Sequence, residues 1–178
     1  MAFSHQSVMA DQVLEALSPR DGGRYVDATL GGGGHAELIL QASAPTGRLL
    51  GVDRDPEAIN EATRRLSAYM PRLQVICGRF SQIKEILEES RFAEEGEPPV
   101  QVDGILVDAG VSSYQFDTPQ RGFSFRNSGP LDMRMGQSGI TCGQLLDQLD
   151  EEGLARILRE FGEVRYSRRV ARAILNAR

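Results

Sequence analysis

The chain has 178 residues, of which 40% are hydrophobic and 25% charged, and it carries a formal net charge of −5. A chain of this length can form one domain with its own core and is too short for two large domains. The composition is typical of a globular protein and not of a disordered or fibrous one. No stretch approaches the roughly 18 apolar residues of a membrane span, and residues 1–5 lack the basic-then-apolar pattern of a secretory signal. We therefore expect a cytoplasmic protein without membrane contact.

Cysteine is rare in the chain, which contains only Cys77 and Cys142. Two widely spaced cysteines form neither a zinc site nor a disulfide framework, and they suit the reducing cytoplasm. We expect no metal site, and we interpret both thiols as ordinary core or surface side chains.

The charge is unevenly distributed along the sequence. Residues 1–120 contain 10 basic and 18 acidic residues, whereas residues 121–178 contain 10 basic and 7 acidic residues. Of the 20 basic residues only Lys84 is a lysine, and the planar guanidinium of arginine suits phosphate contacts and base stacking. Two interpretations carry equal weight: a basic C-terminal region that contacts a polyanion, or a solvated helix face balanced by Glu160 and Glu163.

Short apolar runs alternate with helical patterns through the first 107 residues. In chain order, the patterns predict helix Ser7–Leu17, strand Tyr25–Thr29, helix Ala36–Ala42, strand Arg48–Val52, helix Pro56–Tyr69, strand Leu73–Cys77, helix Gln82–Glu89 and strand Val102–Val107. Asp55 as N-cap and Pro56 as first helical residue mark the start of the third helix. Continuous apolar strands that alternate with helices indicate right-handed βαβ units in a doubly wound, parallel α/β sheet.

Two stretches of the sequence predict loops. The acidic, proline-rich residues 94–99 predict a surface loop, and residues 109–143, rich in Gly, Ser, Gln and Arg, predict a long loop of the functional kind. Two helices follow at Glu151–Phe161 and Tyr166–Ala177. No run after residue 108 predicts a fifth strand.

Four consecutive glycines, Gly31–Gly34, follow the first predicted strand and precede a helix. Glycine permits a tight turn and lets a ligand approach the main chain, and the helix start offers free N–H groups and a positive dipole end. Asp53 ends the second strand, where a carboxylate can accept hydrogen bonds from two ribose hydroxyls. The arrangement predicts a site for a nucleoside-containing cofactor.

The glycine loop alone does not choose the cofactor. Gly31, Gly33 and Ala36 also satisfy the dinucleotide fingerprint G-x-G-x-x-G/A, so an NAD-dependent oxidoreductase is an alternative. Against it, the chain shows no recognisable proton donor, because it has one lysine and only two histidines, His5 and His35.

The fourth strand leads into Asp108 and the turn Gly110–Ser113. In a doubly wound sheet, the loops at the carboxyl ends of the strands form the active-site crevice. We expect Asp108 in that crevice, next to the cofactor loop. The alternative for an aspartate at a strand end is a purely structural cap.

Arginines alternate with aromatic residues in the segment Arg121–Arg126. Such a pattern can contact phosphates and stack on unpaired bases, which is how single-stranded RNA is read. An equally weighted interpretation makes Phe123 and Phe125 apolar anchors of the loop.

Seven motifs of the chain together resemble one known family. They are Gly31–His35, Asp53–Pro56, Gly78–Phe80, Asp103–Asp108, Gly110–Ser113, Arg121–Phe125 and Pro130–Met135. They resemble the RsmH/MraW family, whose members use S-adenosylmethionine to methylate the N4 amino group of a cytidine in small-subunit ribosomal RNA. The resemblance extends from His5 to Glu163, and its last two motifs are specific to the family.

The resemblance implies a Rossmann-like methyltransferase sheet, S-adenosylmethionine as cofactor and the small ribosomal subunit as partner. The implied cofactor contacts are Gly33, Gly34, His35, Asp53, Phe80, Asp108 and Gln115. In this assignment Asp53 suits the ribose, Phe80 can cover the adenine, and Asp108 with the Gly33–His35 backbone suits the methionine or adenine end. Asp108 and Ser112 are our candidate catalytic residues, as acceptors that polarise cytosine N4.

The chain departs from the family in one loop and in length. Ala109, Tyr114 and Phe116 stand where the family has Leu, Pro and Leu. Because family members continue beyond residue 178, we expect residues 1–117 to be the N-terminal part of the methyltransferase domain, without its final strands. Residues 118–178 are then a substrate-recognition loop and the start of a helical insertion.

An incomplete sheet has consequences for assembly and activity. It leaves an edge and an apolar face exposed, so we expect self-association and little methyl transfer by this chain alone. A non-enzymatic RNA- or cofactor-binding fragment is the third alternative.

Overall fold

The computed structural model describes residues 7–90, 92 and 101–178. In chain order its elements are α1 (Ala10–Leu17), β1 (Arg24–Asp27), α2 (Gly34–Ala42), β2 (Arg48–Asp53), α3 (Pro56–Arg65), β3 (Leu73–Cys77), α4 (Ile83–Glu89), β4 (Gly104–Leu106), α5 (Ser113–Asp117), α6 (Cys142–Gln148), α7 (Glu151–Glu160) and α8 (Ser167–Ala177). The predicted loop at 94–99 and His5 lie outside the described residues. No helix within the described part is long and apolar enough to cross a bilayer.

The four predicted strands form one parallel sheet in the order β3-β2-β1-β4. The predicted doubly wound α/β fold is therefore confirmed. The chain moves outward from β1 to β3 and then returns to place β4 on the other side of β1. This reversal is a topological switch point, and ligands of open α/β sheets bind outside the carboxyl ends of the strands at such a point.

Apolar clusters cover both faces of the sheet. Leu49 and Leu50 are adjacent in β2 and both fully buried, yet they belong to different clusters. Successive side chains of a strand point to opposite faces, so a strand covered on both sides needs an unbroken apolar run. This is why the β2 segment does not alternate between apolar and polar residues.

The helix starts follow local signals in the sequence. The Asp55 side chain accepts a hydrogen bond from the Glu57 backbone N–H at 3.1 Å, and Pro56 is the first residue of α3, as predicted. Strand β1 ends at Asp27 and not at Thr29, because the Thr29 N–H turns back to the Asp27 carboxylate at 3.1 Å.

Two helices contradict the predicted loop 109–143: the short α5 lies inside it, and α6 begins at its C-terminal border. Helix α6 begins after Thr141, whose hydroxyl accepts from the Gln144 N–H at 3.1 Å, while the Gln144 side chain accepts from the Thr141 N–H at 2.9 Å. This reciprocal pair is a capping box. The T-x-x-Q spacing was therefore a usable helix signal that hydrophobic periodicity did not show.

The chain divides into two compact units. The first contains the sheet and comprises residues up to Tyr114 together with Met135–Gln137. The second comprises Gln115–Arg134 and Ser138–Arg178. The predicted functional labels for residues 1–117 and 118–178 stay predictions.

The second unit is organised around the pair α7 and α8. Leu154 and Ala155 of α7 pack with Ala171 of α8 in a small apolar core. The Arg172 guanidinium donates two hydrogen bonds to the Glu151 carboxylate, at 2.9 and 3.0 Å, and links the two helices on their exposed side.

Candidate cofactor site

The switch point of the first unit carries acidic side chains. Asp27 and Asp53 are the last residues of β1 and β2, and Asp108 follows β4 by two residues. Because β1 lies between β2 and β4 in a parallel sheet, these positions share one edge. The edge is close to the turn that contains the glycine loop, since the Leu30 N–H donates to the Val52 carbonyl.

Asp53 is held by the main chain around it. One carboxylate oxygen accepts from the Gly31 N–H at 2.8 Å and the other from the Asp55 N–H at 2.9 Å. Each carboxylate oxygen has a second lone pair, so a fixed Asp53 can still accept hydrogen bonds from the two hydroxyls of a ribose. The structure thus joins the predicted glycine loop to the predicted ribose acceptor.

Asp27 is a site residue that the sequence interpretation missed. Its carboxyl is fully buried and accepts a hydrogen bond from the Thr29 N–H. Burial raises its pKa to about 7, and the negative charges of Asp53 and Asp108 act in the same direction. A carboxylate in this setting is stabilised by a nearby cation. An aspartate at the end of an apolar strand, directly before a glycine loop, was the available signal.

The loop after β4 is fixed to the turn after β1. The Asp108 N–H donates to the Thr29 hydroxyl at 2.8 Å, while the Asp108 side chain is exposed. His35 Nε2 lies 3.9 Å from an Asp108 carboxylate oxygen. Asp108 therefore lies at the edge with an exposed carboxylate, as the sequence predicted for its position.

The His35 imidazole is mostly buried. Its pKa is lowered by burial, and this effect outweighs the opposite influence of Asp108. Its Nδ1 is the buried side-chain polar atom, within the described part of the chain, that has no hydrogen-bond partner. A neutral imidazole with an unpartnered buried nitrogen is suited to a contact from a bound ligand.

The glycine loop is constrained by packing as well as by ligand approach. Gly33 has φ +80°, and a Cβ there would lie 2.9 Å from Leu66 Cδ1. Helix α2 begins at Gly34, where a Cβ would collide with the Ser7 hydroxyl. The positive φ of Gly33 therefore requires glycine even without a cofactor, whereas at Gly34 the Cβ would meet only the end of the Ser7 side chain, which can rotate away.

The remaining predicted site residues are placed as follows. Phe80 begins a single 3-10 turn after β3 and is half exposed, so an aromatic surface follows the strand next to β2. Ser112 is partly buried in the first unit. Gln115 is buried and belongs to the second unit. The roles of these three residues stay predictions.

The arginine-aromatic segment of the second unit divides into buried and exposed members. Arg121 is only 9% exposed, its guanidinium donates to the Arg134 carbonyl at 3.0 Å, and its own carbonyl accepts from the Met133 N–H. The interpretation of Arg121 as a phosphate contact is therefore wrong, because its guanidinium is committed to the fold. Arg126 and Phe125 are exposed, whereas Phe123 is partly buried.

The fold and this edge define a doubly wound α/β protein with an acidic site at its switch point. Comparison with known proteins is more specific. The sequence model described as "MraW methylase family" matches residues 2–178, and the chain belongs to this family. The resemblance stated from the motifs is thereby confirmed.

Curated relatives agree with the family assignment. The chain is 51% identical to "Ribosomal RNA small subunit methyltransferase H" of Syntrophotalea carbinolica, over 99% of this chain and 54% of that protein. It is 50% identical to the protein of the same name from Geobacter sulfurreducens, over 100% of this chain and 55% of that protein. The chain thus spans about half the length of the curated relatives it matches.

Similar solved structures are more distant. The C-terminal domain of precorrin-6Y C5,15-methyltransferase from Rhodobacter capsulatus is 19% identical, with a TM-score of 0.47 over 64% of this chain and 55% of that chain. An rRNA methylase from Streptococcus thermophilus is 19% identical, with a TM-score of 0.39 over 49% of this chain and 52% of that chain.

Proposed function

We propose that this chain binds S-adenosylmethionine at the acidic edge of its sheet. The observation that carries the proposal is the placement of three carboxyls, those of Asp27, Asp53 and Asp108, at the carboxyl ends of adjacent strands, with Asp53 bonded to the glycine loop. The cofactor's sulfonium is a cation, which such an edge stabilises. Dinucleotide-binding sheets also carry a carboxylate at the end of the second strand, so the acidic edge alone does not separate this cofactor from NAD. Membership of the methylase family favours the methyl donor over the dinucleotide.

The residues present fit this cofactor. The Asp53 carboxylate, which accepts from the Gly31 N–H, supports a contact with the ribose hydroxyls, and His35 Nδ1 is a buried polar atom without a partner in the described part of the chain. In our assignment Phe80 covers the adenine, and Gly33 and Gly34 allow close approach of the methionine end. Asp108 completes the contacts proposed on the first unit, and the contact of Gln115 stays a prediction from the family resemblance.

We further propose that the protein methylates the N4 amino group of a cytidine in small-subunit ribosomal RNA. The names of the relatives support this substrate class. The bound cofactor supplies an electrophilic methyl group. Transfer of that methyl group from the sulfonium to N4 would require N4 to lose one proton. The exposed Asp108 carboxylate is the proposed acceptor of that proton, and Ser112 is the proposed second polar contact.

A methyl-transfer assay tests the proposed function. Small ribosomal subunits that lack the modification are incubated with labelled S-adenosylmethionine and the chain, with the full-length Geobacter sulfurreducens relative as positive control. Because little transfer is expected from this chain alone, label on cytidine N4 that is above background, below the level of the relative and lost in Asp108→Asn supports the proposal. Transfer by the relative but none by this chain, despite bound cofactor, would make the chain a cofactor-binding fragment.

We propose that the protein acts in the cytoplasm, where its proposed ribosomal substrate is found. Both cysteines are free thiols in the structure, a state that a reducing compartment maintains.

We also propose that the chain self-associates through the open edge at β4. Among the described residues β3 and β4 are the edge strands, and Ile105 in β4 and Val107 after it are about half exposed. Exposed apolar edge strands pair with other chains, and a lysine on the edge blocks such pairing. Sedimentation should show dimers or larger species at micromolar concentration, and Ile105→Lys should shift them to monomer. A monodisperse wild-type monomer would contradict this.

A further inference from the structure

One side chain of the second unit is far more exposed than an apolar group needs to be. Phe125 is 91% exposed, the highest value among the large hydrophobic side chains of the described residues. A phenylalanine left in water contributes nothing to the stability of the folded chain, whereas burying it would. A single exposed apolar side chain is common in proteins, so the argument for a partner depends on the residues around Phe125.

The base of the loop that carries Phe125 is firmly held. The buried Arg121 guanidinium contacts the Arg134 carbonyl, and the Met133 N–H donates to the Arg121 carbonyl at 2.9 Å. The Asp132 carboxylate pairs with the Arg134 guanidinium at 2.6 Å, which lowers the Asp132 pKa to about 2. Gly122 has φ +72°, and a Cβ at this position would collide with the Pro130 carbonyl oxygen, so this turn requires glycine. These contacts fix the two ends of the loop, at Arg121 and at Asp132 to Arg134. The residues between them, which include the exposed Phe125, form the tip of the loop.

The tip has a composition that suits a polyanion. Residues 118–131 contain two arginines and no acidic residue, although the chain as a whole is acidic. Arg121 is used by the fold, which leaves Arg126 as the exposed cation next to Phe125. The Arg126 N–H donates to the Ser124 hydroxyl at 3.2 Å and orders the backbone between them. Aromatic rings and guanidinium groups together bind unpaired bases and their phosphates, and Phe125 and Arg126 are exposed side chains of these two kinds at adjacent positions.

We propose that Phe125 stacks on an unpaired base of RNA while Arg126 contacts an adjacent phosphate. Phe123, which is partly buried, is the anchor of the loop. The inference rests on the proposed action on ribosomal RNA and assigns a contact surface to it. The sequence alone left base stacking and apolar anchoring equally weighted for this segment. The proposal assigns stacking to Phe125 and anchoring to Phe123.

The absence of tryptophan from the chain gives a direct test. Phe125→Trp introduces a single indole fluorophore that retains a stacking face, and stacking on a base quenches its emission. The probes are a single-stranded RNA oligonucleotide and a blunt duplex of the same length. The matched control is Phe161→Trp, because Phe161 is also an exposed phenylalanine of the second unit, at 82%. We expect the single strand to quench the Phe125→Trp variant strongly and the duplex to quench it little. The Phe161→Trp variant should respond little to either probe.

A second set of variants measures the contribution to binding. Phe125→Ala should weaken single-strand binding by about five- to a hundredfold, and Phe125→Tyr should retain it, because stacking requires an aromatic face. Arg126→Ala should weaken binding and reduce its salt dependence by about one phosphate contact. Circular dichroism checks that each variant is folded.

Three outcomes would overturn the inference. They are equal affinity of Phe125→Ala and wild type, equal quenching of Phe125→Trp by single strand and duplex, and a response of Phe125→Trp to anionic phospholipid vesicles in place of RNA.

The methyl-transfer assay separates this inference from the proposed function. Normal transfer with an unaffected Phe125→Ala variant removes the stacking contact alone. Quenching of Phe125→Trp by RNA without any methyl transfer removes the proposed reaction and leaves the RNA surface.

Discussion

An Asp27→Asn variant is expected to gain stability relative to the wild type as the pH rises from about 4 to about 7. The Asp27 pKa is about 7 in the folded chain, against an ordinary value of 3.8 for an aspartate carboxyl. Between these values the unfolded state has released the proton and the folded state retains it. Ionisation therefore costs the folded state up to about 4 kcal/mol above pH 7. Asparagine keeps the acceptor for the Thr29 N–H and carries no charge, so it removes this cost.

Denaturant unfolding of cofactor-free protein at several pH values measures the difference between the two chains. Asp21→Asn is the matched control, because the Thr46 hydroxyl and N–H lower the Asp21 pKa. A lowered carboxyl pKa gives stability that is present above the unfolded pKa and lost as the pH falls. The two variants should thus show pH dependences of opposite sign. A pH-independent difference between Asp27→Asn and wild type would show that Asp27 is ionised in the folded chain.

Replacing Asp53 with alanine is expected to weaken S-adenosylmethionine binding by about ten- to a hundredfold, since charge-assisted hydrogen bonds contribute on the order of 1.5–3 kcal/mol. The change also removes the acceptor for the Gly31 and Asp55 N–H groups, which shape the glycine loop. Asp53→Asn keeps one oxygen acceptor and should lose less. Calorimetric titration compares the three chains. Unchanged affinity in a folded Asp53→Ala variant would remove Asp53 from the site.

The sheet was largely predictable from the sequence because its central strands are buried on both faces. An unbroken apolar run such as that around Leu49 and Leu50 is then a direct consequence of the fold. The strand order was not predicted, because it depends on which neighbours pair in space. Yet the order decides where the site lies, since it puts β1 between β2 and β4.

The candidate site was predictable where a residue type must occur at a strand end, as for Asp53 and Asp108. Asp27 was missed because its significance comes from burial and from the charges of two distant residues. Arg121 was misinterpreted for a related reason: its partner, the Arg134 carbonyl, is supplied by a separate turn of the loop. Composition shows that an arginine is present, and only the tertiary structure shows what its guanidinium contacts.

The most direct test of the central claim is calorimetric titration of the chain with S-adenosylmethionine and with NADH, at about pH 6 and about pH 8. If the edge is the cofactor site of a methylase, S-adenosylmethionine binds and NADH does not. Its affinity should rise by up to about tenfold between the two pH values, because binding a cation favours the ionised form of an Asp27 whose pKa is about 7. The rise should be absent in Asp27→Asn. Binding of NADH, or no binding of S-adenosylmethionine at either pH, would contradict the account.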